Sequence, residues 1–226
     1  MSAGRLPAFE IEPGRPADAS IILMHGLGAD GHDFEALVFE LRLPEVPAIR
    51  WVFPHAPVRP VTLNGGMPMR AWYDIAGLER RSEEDESGIR ASAKAIRELV
   101  HRERERGVPA DRIVLAGFSQ GGAMALFTAL REPVRLGGVL ALSTYLPLAG
   151  LLEAEADPAN ASTPIFMAHG ALDPIVPIAL AESTRDLLRS RDYEVSWHTY
   201  AMPHSVTAEE VADVRGWLLR ILPPLS

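Results

Sequence analysis

The sequence predicts an α/β fold in which helices cover both faces of a mostly parallel central sheet. Short apolar runs alternate with longer helical patterns along the 226 residues. Most of the runs are continuously apolar, as in strands that are buried on both faces. The chain length suits one large domain, which we expect to span residues 1–226, and no internal repeat or low-complexity linker divides it.

Six apolar runs are predicted as strands, because each is short and bounded by polar or turn-forming residues. Strands separated by helical segments of this length pair in parallel, since the chain must cross back over the sheet. The predicted strands are Ile21–Met24, Arg50–Phe53, Arg112–Ala116, Gly138–Leu142, Ile165–Ala168 and Val195–Tyr200.

Five segments between and after the strands are predicted as helices. The second has apolar residues at three- and four-residue steps, which gives a single apolar stripe. The predicted helices are Asp33–Leu41, Glu86–Arg106, Gln120–Leu130, Ile178–Ser190 and Thr207–Ile221. The segment Arg59–Gly77 is the longest without clear periodicity, and long loops of this kind often shape a site.

Composition excludes several classes of function. Hydrophobic residues make up 47% of the chain, which is enough for a sizeable core. The net charge of -8 argues against nucleic-acid or anionic-membrane binding, because both require a basic surface. The run Arg97–Arg106 interleaves four arginines with three glutamates, so we interpret it as a solvated helix face.

The location expected from the sequence is the cytoplasm. The chain has no cysteine, which excludes disulfides, thiolate metal sites and a cysteine nucleophile. Its first twenty residues contain no apolar core of signal-peptide length, and no apolar run is long enough for a membrane-spanning helix.

The turn after the third predicted strand has the sequence Gly117-Phe118-Ser119-Gln120-Gly121, the G-x-S-x-G pattern of a nucleophile elbow. The glycines provide the clearance that lets strand and helix approach each other. A tight turn with a solvated serine would also fit the bare pattern. The buried strand before it and the helix after it favour a nucleophile, with helix N–H groups pointing to the same place.

A serine nucleophile needs a general base, and in this arrangement the order along the chain is serine, acid, histidine. His198 and His204 are the two candidates that follow a further acid. His198 lies inside a predicted strand, where a structural role is favoured. His204 lies in the loop between the last strand and the last helix, and is therefore the predicted base.

The acid that orients the histidine must lie between Ser119 and His204. Asp157, Asp186 and Asp192 lie before a strand, within a helix and in a turn, respectively. Asp173 alone follows the carboxyl end of a strand, and it is the predicted acid. A helix-capping role for Asp173 stays open, because a helix follows shortly after it.

An oxyanion hole requires two backbone donors. The glycine-rich loop after the first strand places the Leu27 N–H where it could join the Gln120 N–H, so these two are the predicted donors. His25, with His32 and Asp33, suggests a metal site, but the ligand set is thin, and a role in bracing the loop is favoured for His25.

The order of these motifs resembles the carboxylesterase, lysophospholipase and acyl-protein thioesterase family of α/β-hydrolases. The resemblance covers nearly the whole chain. The matching stretches are HGLGADGHDF (25–34), WVFPHAPVRPVTLNGG with MRAWYDI (51–75), AGFSQGG (116–122), LALSTYLPL (140–148), HGALDPIVP (169–177) and MPHSV (202–206).

The resemblance implies an α/β-hydrolase fold without a large lid domain, and a Ser119–His204–Asp173 triad that needs no cofactor or metal. It also implies that Leu63, Met69, Trp72, Tyr73 and Leu146 bind the acyl group of the substrate. The expected activity is cleavage of carboxylic esters with short to medium acyl chains.

Thioesters or lysophospholipids are alternative main substrates, and a homodimer is consistent with the resemblance. A member of the fold that only binds a small molecule is a further alternative. Peptide hydrolysis and peroxyacid formation are less favoured, because no segment indicates a peptide-binding subsite.

Overall fold

The computed structural model describes residues 6–77 and 84–225. Its strands are β1 (Ala8–Ile11), β2 (Ala19–Met24), β3 (Ile49–Pro54), β4 (Val58–Pro60), β5 (Pro68–Arg70), β6 (Ile113–Phe118), β7 (Gly138–Leu142), β8 (Ile165–Gly170) and β9 (Val195–Tyr200). Seven of these described strands form a sheet in the order β1-β3-β2-β6-β7-β8-β9. Strand β1 is antiparallel to β3, and all the other pairs are parallel. The mostly parallel sheet predicted from the sequence is therefore confirmed.

Helices cover both faces of this sheet. They are α1 (Glu35–Glu40), α2 (Glu86–Glu105), α3 (Gln120–Ala129), α4 (Leu152–Glu155), α5 (Ile178–Arg189) and α6 (Ala208–Ile221). Neighbouring residues of one strand point to opposite faces: Ile22 belongs to the apolar cluster that includes residues of α2, α3 and α5, whereas Ile21 belongs to the cluster that includes residues of α1 and α6. Because both faces are buried, the inner strands such as β6, β7 and β8 are almost continuously apolar, which is the pattern that the sequence showed.

The charged run on α2 has a structural role. Arg102 and Arg106 pair with Glu10 of β1 at 2.7 and 2.8 Å, and both also contact the buried Glu103. These ion pairs connect the end of α2 to the edge strand. Two arginines of the run thus bind carboxylates of the same chain, while His101, Arg104 and Glu105 are exposed as the sequence suggested.

The segment Arg59–Gly77 contains structure that the sequence did not indicate. Strands β4 and β5 pair antiparallel in a hairpin outside the main sheet, and a 3-10 turn at Thr62–Asn64 joins them. Gly65 and Gly66 have φ angles of +65° and +78°, which favour glycine. Each strand is three residues long and contains proline, so no periodic signal was present.

Within the described ranges, no large lid domain covers the sheet, and no helix is long and apolar enough to cross a membrane. Strands β2, β6, β8 and β9 all run in the same direction, so their carboxyl ends lie at one edge of the sheet. The loops that follow them hold Leu27, Ser119, Asp173 and His204. The topology therefore gathers residues that are far apart in the sequence.

Candidate active site

Ser119 lies in the turn between β6 and α3 with strained backbone angles, φ +55° and ψ −121°. A non-glycine residue in this region costs roughly 1–3 kcal/mol. Its N–H donates to the carbonyl of Leu142 at 2.8 Å, which ties the turn to β7. A Cβ built on Gly117 would lie 2.2 Å from the carbonyl carbon of Gly121, so the strand and helix approach as closely as the motif predicted.

His204 lies in the loop between β9 and α6, as predicted from the sequence. Its Nδ1 lies 2.6 Å from the Oδ2 of Asp173, and the contact is a hydrogen bond. The imidazole also packs on the ring of Phe118, with 4.6 Å between ring centroids. Phe118 directly precedes Ser119, so the histidine lies beside the elbow. Among the described residues, the Ser119 hydroxyl makes no hydrogen bond.

Both carboxylate oxygens of Asp173 accept hydrogen bonds, which fix the side chain. Its Oδ1 accepts the N–H groups of Ile175 and Val176 at 2.8 and 2.9 Å, and its side chain is fully buried. Helix α5 begins five residues later, at Ile178, without a side-chain cap. Asp173 therefore stabilises its own loop rather than capping the helix, which leaves Oδ2 for His204.

His169 is a buried neighbour of Asp173 that no motif in the sequence singles out. Its Nε2 donates to the carbonyl of Val176 at 2.8 Å and lies 3.4 Å from the Oδ2 of Asp173. Burial lowers the pKa of the imidazole, so the ring is neutral near pH 7. The signal available in the sequence was the HGALD spacing at the end of β8, which places the two side chains four residues apart.

The two predicted oxyanion donors lie in turns beside Ser119. A Cβ built on Gly26 would lie 3.5 Å from the Cβ of Ser119, so the loop that holds Leu27 contacts the elbow. Gly28, with φ +78°, donates its N–H to the carbonyl of Arg70 and shapes this loop. Neither the Leu27 nor the Gln120 N–H donates to an acceptor within the described part of the protein.

His25 braces the Leu27 loop. Its Nδ1 donates to the carbonyl of Gly26 at 2.7 Å, and its Nε2 accepts the N–H of Ala56 at 3.0 Å. Both ring nitrogens are thus engaged, and burial lowers the pKa of the ring. In the ranges that the structure describes, no group of His, Asp or Glu side chains is arranged to hold a metal ion.

The side chain of Gln120 joins the elbow to the segment after β5. Its Oε1 accepts the N–H of Trp72 at 2.8 Å, and its Nε2 donates to the carbonyl of Tyr73 at 2.9 Å. The Trp72 indole in turn donates to the carbonyl of His25 at 2.9 Å. Backbone from three separate segments is therefore held together next to Ser119.

A cleft of about 540 Å³ opens at Ser119. Its lining is mostly apolar, which suits an acyl chain. The lining residues are Leu27, Leu63, Tyr73, Ile75, Ala76, Gly77, Ser119, Gln120, Tyr145, Pro174, Ile175, Val176 and Pro177.

Two of the residues predicted to bind the acyl group, Leu63 and Tyr73, line this cleft. Trp72 and Leu146 are fully buried and lie outside its lining, as does Met69, which packs near Gly28. Tyr145 and the Pro174–Pro177 loop were not predicted. They come from segments after β7 and β8, and only the folded sheet brings them into the same cleft as Leu63.

The sheet, the strained serine turn and the histidine–aspartate pair define an α/β-hydrolase. Residues 7–221 match the model of the phospholipase/carboxylesterase family. The chain therefore belongs to the phospholipase/carboxylesterase family, and it is a serine hydrolase acting on ester bonds.

Individual proteins are similar to the whole chain. Acyl-protein thioesterase 1 of Neurospora crassa is 41% identical over all of this chain and 96% of the relative. Acyl-protein thioesterase 1 of Gibberella zeae is 38% identical over 99% of both chains. The crystal structure of Zea mays acyl-protein thioesterase 2 superposes with a TM-score of 0.82 and 31% identity, covering 96% of this chain and 99% of the other.

Proposed function

We propose that this protein hydrolyses carboxylic esters with short to medium acyl chains through an acyl-enzyme on Ser119. The observation that supports this most is the hydrogen bond between His204 and Asp173 beside Ser119, at the mouth of an apolar cleft. The backbone of Ser119 is strained, and its hydroxyl makes no hydrogen bond to any residue that the structure describes. Asp173 engages Nδ1 of His204, which leaves Nε2 as the atom that accepts the serine proton.

The reaction begins when Ser119 Oγ attacks the carbonyl carbon of the ester and His204 Nε2 takes its proton. The tetrahedral intermediate then collapses, and the imidazolium gives that proton to the departing alcohol. Water adds to the acyl-enzyme in the same way, and the carboxylic acid leaves as Ser119 regains its proton. Asp173 holds the required tautomer and stabilises the positive imidazolium in each half of the cycle.

The N–H groups of Leu27 and Gln120 bind the oxyanion that forms during both attacks. Each donor of this kind contributes on the order of 3 kcal/mol to the transition state. Both N–H groups belong to turns that contacts within the protein already hold, so the donors need no reorganisation during the reaction. Neither the chemistry nor the residues of the site call for a cofactor.

Thioesters are the second candidate substrates, because the similar fungal and maize proteins are named acyl-protein thioesterases. A thioester passes through the same tetrahedral intermediate, with a thiol leaving in place of an alcohol. Lysophospholipids follow the same chemistry. Rates for p-nitrophenyl esters of increasing chain length, a palmitoyl thioester and a lysophospholipid would rank the three classes.

The decisive variant is Ser119→Ala, compared with Ser183→Ala, which removes an exposed hydroxyl on α5. We expect Ser119→Ala to lower kcat on p-nitrophenyl butyrate by about 10⁴-fold or more, because the acyl-enzyme cannot form. A fluorophosphonate probe should label wild type and Ser183→Ala but not Ser119→Ala. Near wild-type turnover by Ser119→Ala would refute the proposal, and absence of both turnover and labelling in wild type would indicate a purely binding protein.

A further inference from the structure

The peptide group between Ser119 and Gln120 is held by a side chain that takes no direct part in the proposed reaction. The Ser119 carbonyl accepts the N–H of Ala123 at 3.0 Å, as expected at a helix start. It also accepts a second hydrogen bond, from the Thr144 hydroxyl at 2.7 Å. Thr144 lies in the loop after β7, on a different element from the elbow.

Holding this carbonyl also orients the oxyanion donor. A trans peptide is planar, with its C=O and N–H pointing in opposite directions, so fixing the Ser119 oxygen fixes the direction of the Gln120 N–H. The backbone of Ser119 is strained, so the peptide would rotate to relieve this strain if the hydrogen bonds on its carbonyl were lost. A hydrogen bond on the carbonyl also polarises the N–H of the same peptide and makes it a better donor.

Thr144 is itself firmly placed. The residue is buried, and its methyl carbon lies 2.8 Å from where a Cβ on Gly122 would be. Its loop is tied to the sheet because the N–H of Ser143 donates to the carbonyl of Ala168 at 2.8 Å. The threonine thus has a fixed rotamer, with the methyl group against α3 and the hydroxyl on the elbow.

We propose that Thr144 is a positioning residue for the oxyanion hole. Its hydroxyl sets the angle of the Ser119–Gln120 peptide, so that the Gln120 N–H meets the oxyanion in the transition state. The amide of Gln120, bonded to Trp72 and Tyr73, fixes the same residue from the other side. This inference rests on the proposed function, since it requires Ser119 as the nucleophile and Gln120 as a donor.

The test compares Thr144→Val, which removes the hydroxyl at equal volume, with Thr144→Ser, which retains it. Thr128→Val is the matched control, because Thr128 lies on α3 and its buried hydroxyl has no hydrogen-bond partner in the described residues. We expect Thr144→Val to lower kcat on p-nitrophenyl acetate by about 10- to 30-fold, with KM within about twofold, since an oxyanion donor acts mainly in the transition state. Thr144→Ser should recover most of the rate, and Thr128→Val should match wild type.

A second substrate separates positioning from a structural role. In p-nitrophenyl thionoacetate the carbonyl oxygen is replaced by sulfur, which benefits less from the oxyanion hole. If Thr144 positions a donor, Thr144→Val lowers the ratio of kcat/KM for the oxo-ester over the thiono-ester. An equal loss on both substrates, or no loss, would overturn the proposal.

Active-site titration with the fluorophosphonate corrects for inactive protein. Should Thr144→Val fail to fold, Thr144→Ala serves for the same ratio. Failure of the Thr144 proposal can be distinguished from failure of the proposed function. A ratio unchanged by Thr144→Val, with Ser119→Ala inactive, rejects only the role of Thr144, whereas an active Ser119→Ala rejects both.

Discussion

Two buried carboxyl groups flank the His204 loop, and their surroundings differ sharply. Asp173, before the loop in sequence, receives two backbone N–H groups and the His204 imidazole. Glu210, in the first turn of α6, is equally buried, but in the described part of the chain neither of its oxygens makes a hydrogen bond of good geometry. Burial alone therefore does not distinguish the carboxyl that we propose as the catalytic acid, and the donors around each group make the difference.

The difference has a direct electrostatic consequence. Burial raises the pKa of Glu210 to about 8, and the nearby N–H of Thr207 opposes this rise only in part. Glu210 is thus protonated at neutral pH. Thr207 caps α6 by accepting the N–H of Glu210, so the pair belongs to the start of the helix rather than to the site.

Between the two carboxyl groups, the larger effect on catalysis should come from Asp173→Asn. An amide at this position keeps the shape of the loop but cannot hold the required His204 tautomer or support its positive charge. We expect kcat to fall by about 10³- to 10⁴-fold with p-nitrophenyl butyrate. Asp186→Asn, on the exposed face of α5, is the control and should retain full activity. A loss of kcat of less than about tenfold in Asp173→Asn would show that Asp173 is not the acid that orients His204.

The carboxyl of Glu210 should affect the stability of the protein rather than its catalysis. The folded pKa of Glu210, about 8, lies above its ordinary value of 4.5, so the folded protein favours the protonated form. The contribution of Glu210 to the free energy of unfolding is greatest below about pH 4.5. It falls as the pH rises to about 8 and is constant at higher pH. Glu210→Gln mimics the protonated form and should raise the free energy of unfolding at pH 9 by about 3–5 kcal/mol, with little difference at pH 4.5.

Urea unfolding at the two pH values, followed by tryptophan fluorescence, measures this difference. Glu209→Gln is the control, because it removes an exposed charge one residue away and should change stability by less than about 0.5 kcal/mol at either pH. Equal stability of wild type and Glu210→Gln at pH 9 would show that folding does not raise the pKa of Glu210. The variant should keep its kcat at pH 7.

The smallest effect is expected at His169, which supports the Asp173 loop. His169→Leu removes the hydrogen bond to the Val176 carbonyl, worth about 1 kcal/mol, and should lower kcat about fivefold. Because burial lowers the pKa of His169 and keeps it neutral, the pH dependence of kcat should not move. His101→Leu, on the exposed face of α2, provides the comparison. A shifted pH profile in His169→Leu would contradict a purely supporting role.

The sequence predicts features that depend on the local pattern and the order of elements. Ser119 and Asp173 each follow a strand with a clear apolar signal, and His204 follows the more polar strand β9. Their common position at one sheet edge follows from parallel pairing. Strand β1 was missed because it is a four-residue edge strand, half-buried along its whole length. Edge pairing of this kind leaves no continuous apolar run.

Contacts between distant segments could not be predicted in the same way. Nothing local to Trp72 shows that its ring points into the core rather than the cleft, and nothing near Tyr145 shows that it lines the cleft. The surroundings of Glu210 depend equally on packing between α6 and the sheet. The surroundings of these three side chains depend on how the loops fold, which the periodicity of the sequence does not predict.

The side chain of Gln120 ties the Tyr73 side of the cleft to the serine turn, through its hydrogen bonds to the backbone of Trp72 and Tyr73. Substitutions on the two sides of the cleft should therefore have different effects. Substitutions on the wall next to Tyr73 will disturb chain selectivity and turnover together, because that wall shares its backbone contacts with the elbow. Leu63 and Ile175 are 59% exposed side chains on the outer rim. Under the proposed function, side-chain changes at Leu63 should alter acyl preference with the least effect on the chemical step, whereas the backbone N–H of Ile175 also holds Asp173.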